Sequence, residues 1–496
     1  MKHLLCATAA AVIISCSAVF AAATDESVDT YHNSMDRHGD YIVPSLSFAA
    51  AANVHPDKNF HANVKGHVYA QPLFWKPAGA HHGRLIVATE SNVVYALDGK
   101  SGAEVWHTPL AGPVALKRLP CGNIDPSGIT GTPVIDPASG TIYLDALTAA
   151  AKGPRHMIYA LSAATGAVLP HWPIDVQQSL AKAGAQFSSS TEGERSALQF
   201  LNGTLYVNYG GNFGDCGTYF GTVIQIDPTK AKIVANWQTR AKGGGIWAQG
   251  GMASDGSALF VTTGNTMGAS TWSDGEAIVR LEPGLAHSSD PKSYFAPANW
   301  KKLDDQDLDL GGTEAIPIEI GNGPAPAKRV IAFGKDGNAY LVNRANLGGV
   351  GGAIAREKVS TSRILTAPAV HQTKSETKIA FSSLGSDQCP QRNITVLNIA
   401  DAGKSSIGFA WCKPLNGAGA PIVTTTDGTS DAIVWVVGAE GDNELHGFDA
   451  HNGHVVFSGN GTAMTGLHHF QTILVTKHRF YVAGDGKVYA FTFSAD

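Results

Sequence analysis

Short runs in which apolar and polar residues alternate recur along most of the chain, separated by turns of Asp, Asn and Gly. Such alternation is the mark of half-buried β-strands. The stretch LIVATESNVVYALDGKSGAEVWHTPL, Leu85 to Leu110, reads as a strand, a second strand ending Ala-Leu-Asp, a Gly turn and a third strand carrying Trp. The pattern returns at residues 140–172, 203–237, 328–349, 432–459 and 478–493, the last reading HRFYVAGDGKVYAFTF. Each unit is a small antiparallel sheet that cannot bury both faces alone, so stacking of neighbours around an axis is the economical arrangement. Counting from HVYAQPLFW onward gives about eight units, at the spacing of roughly 40 to 50 residues expected of propeller blades.

The expected fold is therefore all-β: an eight-bladed β-propeller of four-stranded antiparallel blades. The last unit lacks an outer strand, and NFHANVKG (residues 59–66) can supply it, closing the ring by pairing the two ends of the chain. Residues 59–496 are assigned to the propeller and residues 24–58 to a polar lead-in of weak pattern. Residues 272–312 read as a long irregular loop, the kind of segment that carries function more often than a short turn does.

Composition supports this reading. The chain has 56 Gly, 24 Pro and 6 Met in 496 residues, which favours many turns between short strands over long helices. A net charge of -5 offers no broad basic field, so nucleic acid and anionic membrane surfaces are not expected partners.

The N-terminus pairs Lys2 with an apolar run and the small residues Ala21, Ala22 and Ala23, as an export signal cleaved after Ala23 would. A lipid anchor at Cys16 is the second reading and an uncleaved anchor the third; no other stretch is long and apolar enough to span a bilayer. The expected location is the periplasm or the exterior. Four cysteines follow the signal, and an even number in an exported chain favours two disulfides, with three pairings open. Cys389 with Cys412 is the simplest pair if adjacent strands carry them, which leaves Cys121 with Cys216. No C-x-x-C-H occurs, so no c-type haem is expected in this chain.

The VYALD…G…W unit resembles the repeat of pyrroloquinoline-quinone (PQQ) enzymes, whose eight-bladed propellers hold the quinone on the axis. The same repeat also builds non-catalytic propellers, including an outer-membrane assembly lipoprotein. Within the alcohol-oxidising family, a Gly-rich turn precedes a Trp that forms the floor under the quinone, and a later Gly-Asn supplies a calcium ligand. GGGIWAQGGMASDGSALFVTTGN resembles that block, which implies Trp247 as floor and Asn265 as metal ligand. The residue types suit these roles, since an indole stacks on a flat ring and Asn offers a neutral oxygen to a hard cation.

LDDQDLDLGGTEA resembles the family's Asp-rich element, implying Asp307 as catalytic base and metal ligand and Asp309 as the extra carboxylate of lanthanide-using members. FGKDGNAYLVNRANLGG places Lys335 where a cation touches the reactive quinone carbonyl and stabilises charge on its oxygen. The chain also departs from the family. Where adjacent cysteines and an Arg are usual it has PCGNIDPSG, with Cys121-Gly122 and Ser127, so a vicinal disulfide is impossible. The calcium-binding Glu falls at Cys216 or, one place shifted, Asp215; Arg195 is the candidate for the missing cation.

Over Phe60 to Phe493 the chain most resembles exported PQQ-like propellers sharing VYAQPL, GITGTPVIDPASGTIY and DLDLGG segments. The resemblance implies oxidation of an alcohol or sugar hydroxyl with PQQ and Ca²⁺ or a lanthanide, and a separate electron acceptor such as a cytochrome c. The alternative is a non-catalytic binding or scaffold propeller of the cell envelope. A third use of the scaffold would draw on its 19 His, but the adjacent His468 and His469 should point to opposite faces of a strand and are read as structural. Neither a zinc-enzyme His-Glu-x-x-His nor a phosphate-cradling Gly loop is present.

Overall fold

The computed structural model describes residues 26–321, 325–401 and 405–493. The segment read as an export signal (1–23), with Cys16, lies outside the described residues. Eight sheets follow one another around the ring. Blade 1 begins at Leu73–Trp75, blade 2 at Val134–Asp136, blade 3 at Gln199–Leu201, blade 4 at Ala253–Ser254, blade 5 at Ile316–Ile320, blade 6 at Ala369–Gln372, blade 7 at Ile422–Thr425 and blade 8 at Leu474–Val475. Within each blade the successive strands pair antiparallel. The ring closes as expected: Ala62–Asn63 pairs with Lys487–Val488, and His55–Pro56 with Phe491–Thr492, on the last strand of blade 8.

Alternation is clearest toward the rim. The outer strand Glu104–Pro109 of blade 1 alternates between exposed and partly buried, whereas Leu85, Ile86, Val87 and Ala88 in its second strand are all buried. Neighbouring blades cover both faces of the middle strands, so those strands carry continuous apolar runs. The repeat's Trp locks adjacent blades. Trp106 Nε1 donates to the Ala163 carbonyl 3.2 Å away on the next blade, and its ring lies where a Cβ on Gly166 would be, 2.5 Å from the nearest ring atom. Gly166 also has φ +73°, so Gly is required there on both counts. The Asp of the motif ties the turn: Asp98 Oδ1 accepts from the Lys100 and Ser101 N–H groups and from the Ser101 hydroxyl.

The segment read as a long loop is not irregular throughout. It contains strand Ala277–Leu281, strand Tyr294–Ala296 and helix Trp300–Asp305. The lead-in is likewise more ordered than its pattern suggests, because it threads across the inner strands at the axis. Val28 exchanges backbone hydrogen bonds with Phe74, Ile135 N donates to Asp29 O, Ser254 N to Met35 O and Val370 N to His38 O; Asp40–Ile42 then runs parallel to Val423–Thr425. Arg37, fully buried, donates to the carbonyls of Leu198, Gly250 and Met252. Tyr31 packs with Ala197, Ala367 and Ala420, one small residue from each of three inward-facing segments, and stacks on His32 at 4.3 Å. No helix among the described residues is long and apolar enough to cross a membrane.

Burial pushes the His32 imidazole down to about 3. Its folded pKa is below the unfolded value, so the neutral ring contributes stability that is fully present above pH ~6.5 and is lost as pH falls toward 3. The total is at most ~5 kcal/mol, at up to ~1.4 kcal/mol per pH unit. Glu90 and Glu314, each raised to about 7 by burial, act in the opposite sense, losing stability as pH rises from ~4.5 through 7. The melting temperature of His32→Asn, followed from pH 7 to pH 4, should therefore fall less steeply than that of the wild type. An equal slope in the two proteins would show that His32 does not stay neutral at the axis.

Candidate functional site

Connections leading into the inner strands, with the hairpins that carry Asn212–Asp215 and Lys335, converge at one end of the axis, where they enclose a cavity of about 430 Å³. Its walls include Arg195, Asp215, Trp247, Asp307, Asp309 and Lys335, six of the seven residues singled out from the sequence. Asn123, Asn212, Phe213, Arg363, His469 and Phe470 complete much of the remainder.

Trp247 is placed by its glycines. Gly243 (φ +81°) donates to Tyr219 O, and Gly244 N donates 2.7 Å to Asn265 O; a Cβ on Gly243 would lie 2.5 Å from that same oxygen. The glycine run thus lets two backbones touch and fixes the indole that follows them. The ring is partly exposed toward the cavity.

Asp309 is the hub of the site. Its side chain is 5% exposed; Oδ2 accepts from Trp247 Nε1 at 3.1 Å and pairs with Lys335 Nζ at 2.7 Å, while Oδ1 accepts from the Asn265 backbone N–H at 3.0 Å. Lys335 N also donates to the Asp309 carbonyl. The Lys335 ammonium stands 5.0 Å from the centroid of the Trp247 ring and reaches Asp307 Oδ1 at 2.9 Å. Asp307, with φ +53°, has its side chain 59% exposed.

Burial pulls the Lys335 pKa down, but Asp309 and Asp307 outweigh it and hold the ammonium above its usual range. Burial pushes Asp309 up, against the pull of Lys335, and neighbouring Glu276 is raised as well, first by burial and then by Asp309. Contacts to two carboxylates make the protonated lysine the secure assignment.

Other expected residues enter differently. Asn265 contributes its backbone N–H to Asp309 and is not part of the cavity wall. Asp215 accepts from the Tyr219 hydroxyl at 2.7 Å. Arg195 donates to Asn123 Oδ1 at 3.3 Å and brings a guanidinium to the wall, whereas Ser127 pairs with Val114 and lines a smaller neighbouring cavity. Both disulfides form as expected, Cys121–Cys216 and Cys389–Cys412. The first lies behind the cavity wall, where a Cβ on Gly214 would be 3.4 Å from Cys121 Cβ. Cys389 sits in the turn before strand Asn393–Asp401 rather than on a strand. Arg363 and Phe470 carry no motif of their own; they lie on the same class of connection as Trp247 and Asp309, which is the signal that marks them.

The donor set separates two groups. A flat, polyanionic aromatic molecule fits: the wall offers the face of Trp247, the ring of Phe470, and the cations Arg195, Lys335 and Arg363. A divalent cation does not fit the Asp307–Asp309 pair as it stands. The Lys335 ammonium occupies the space between the two carboxylates, and both Asp309 oxygens already accept N–H donors.

A family model described as outer membrane protein assembly factor BamB matches residues 61–209. No curated protein sequence matches the chain. Among solved structures, the quinohemoprotein alcohol dehydrogenase from Comamonas testosteroni is similar with a TM-score of 0.66 at 14% identity, over 95% of this chain and 81% of that one. A europium-containing methanol dehydrogenase gives 0.60 at 13% identity, over 94% and 98%, and BamB from Moraxella catarrhalis gives 0.51 at 14%, over 88% and 99%. Two dehydrogenases and BamB thus share this propeller fold with the chain.

Proposed function

We propose that the chain is an exported quinoprotein-like oxidoreductase, in which the axial cavity takes a planar polyanionic quinone of the PQQ class and acts on an alcohol or sugar hydroxyl. The observation that carries the reading is the Lys335 ammonium held over the Trp247 ring by two aspartates inside a cavity of ligand size. Trp247 and Phe470 would flank the quinone, and Arg195 and Arg363 would meet its carboxylates. When bound, such a quinone would accept a hydride, one hydrogen with its electron pair, from the carbon bearing the hydroxyl. Asp307, exposed to the cavity, takes the hydroxyl proton. Lys335 stabilises negative charge on a carbonyl oxygen placed beside it. Asp309, tied to three donors, keeps the ammonium and the indole in register. Electrons leave to a separate acceptor such as a cytochrome c, and the place of action is the periplasm or the exterior.

Reconstitution with PQQ and dye-linked assay against a panel of alcohols and sugars tests the reading. Asp307→Asn should lower kcat by about 10²- to 10⁴-fold with quinone affinity changed less than threefold. Unchanged turnover in Asp307→Asn would remove it as the base.

A second reading has its own observation. Residues 61–209 match an assembly-factor propeller, and the solvent-facing Asp307 and Phe213, 61% exposed at the cavity rim, suit a surface that binds a protein segment. Absence of quinone binding by the intact protein would favour it.

A further inference from the structure

Beside the axial cavity, and outside its wall, lies a second cluster of metal-ligating side chains. Among the described residues, His67, His468 and Asp485 form one group of three whose ligand atoms all fall within 4.8 Å of one another. His67 lies between the ring-closing strand Ala62–Asn63 and blade 1, His468 in the connection into blade 8, and Asp485 at the hairpin turn of blade 8. His67 Nδ1 is 2.7 Å from Asp485 Oδ2, and His468 Nε2 is 2.8 Å from Asp485 Oδ1, which also accepts from the Val68 N–H. Tyr69 stacks on the His468 ring at 4.2 Å, and the His67 ring meets His468 edge-on at 5.9 Å. Burial raises the Asp485 pKa, but His468 and His67 outweigh it and hold the carboxyl below its usual range.

We propose that His67, His468 and Asp485 form a binding site for a divalent transition ion of the zinc type, which cross-links the two ends of the chain where the ring closes. Two imidazole nitrogens and one carboxylate oxygen are a borderline donor set, suited to Zn²⁺ or Co²⁺; Ca²⁺ prefers six or more oxygens. Ligands about 2.0–2.2 Å from one tetrahedral ion sit roughly 3.3–3.6 Å apart, so the present His–Asp485 contacts need to open by roughly 0.5–0.9 Å. Ring stacking already orients His468, and the backbone N–H already orients Asp485. All three side chains are partly exposed, which gives an ion access from solvent. The fourth position is left for water.

His468 joins this group alone of the adjacent pair: His469 Nδ1 turns to Glu440 at 2.7 Å. With His67 and Asp485 separated by 418 in sequence, no local motif announces the site.

The test uses tag-free protein, stripped with a chelator that is then removed, and titrated with ZnCl₂ in a calorimeter and with CoCl₂ by visible absorbance. One equivalent of Zn²⁺ should bind, and at 100-fold excess over Kd the melting temperature should rise by about 2–4 °C, with no rise in the same concentration of CaCl₂. His67→Gln and His468→Gln should each weaken Zn²⁺ binding at least tenfold, while His469→Gln should leave it unchanged. Failure of the wild type to bind Zn²⁺ overturns the proposal. So does an unaltered affinity in the His67→Gln/His468→Gln double variant with its β-sheet circular dichroism intact.

Discussion

Replacing Trp247 with Ala should weaken PQQ binding about 30- to 100-fold, corresponding to ~2–3 kcal/mol for loss of a central aromatic anchor. The indole supplies the flat face of the cavity, and its Nε1 helps fix Asp309. Truncation removes the stacking surface but leaves Asp309 bonded to Lys335 and to the Asn265 N–H, so the carboxylate is not stranded. Trp247→Phe separates the two roles: it keeps an aromatic face and loses the N–H, and should recover most of the affinity. Quinone fluorescence quenching or calorimetry reads both variants. Equal affinity in wild type and Trp247→Ala would place the quinone elsewhere.

Lys335→Met is the second large effect. It removes the cation from between two carboxylates, one of them almost fully buried, and breaking such a pair by deleting one partner costs about 3–5 kcal/mol. The outward side of Asp307 is solvated, so the lower end of that range is expected. Without the ammonium, Asp309 and Glu276 face each other uncompensated, and the site relieves this by taking up a proton. The variant's loss of stability should therefore be largest above neutral pH and shrink as pH falls toward 5. Urea unfolding of wild type and variant at pH 8 and pH 5.5 measures the difference. A pH-independent loss would mean that Lys335 acts through packing alone.

The fold could be read from the chain because its signals are local and repeated: an Asp that ties a turn, a Gly at positive φ, and a Trp that reaches the next blade, as at Asp98, Gly166 and Trp106. Residues of the cavity wall such as Trp247, Asp309 and Lys335 were legible through short motifs on segments that the ring gathers at its axis. The exchange of emphasis between Asp307 and Asp309 was not, since only burial shows that Asp309 holds the centre while Asp307 faces the opening. The motif around Asn265 points to its carboxamide, yet the residue acts on Asp309 through its backbone, which no side-chain motif encodes. The axial thread was hidden for another reason. Arg37 is buried by carbonyls of Leu198, Gly250 and Met252, partners more than 150 residues away, so its neighbourhood in sequence reads as an ordinary polar stretch.

The most direct test is an equilibrium titration of the intact wild-type protein with PQQ, once in EDTA and once with Ca²⁺, following Trp fluorescence and quinone absorbance. Saturation at one equivalent is expected in both conditions, since Lys335 and not a metal ion compensates Asp307 and Asp309. No saturable binding in either condition would contradict the assignment of the axial cavity as a quinone site.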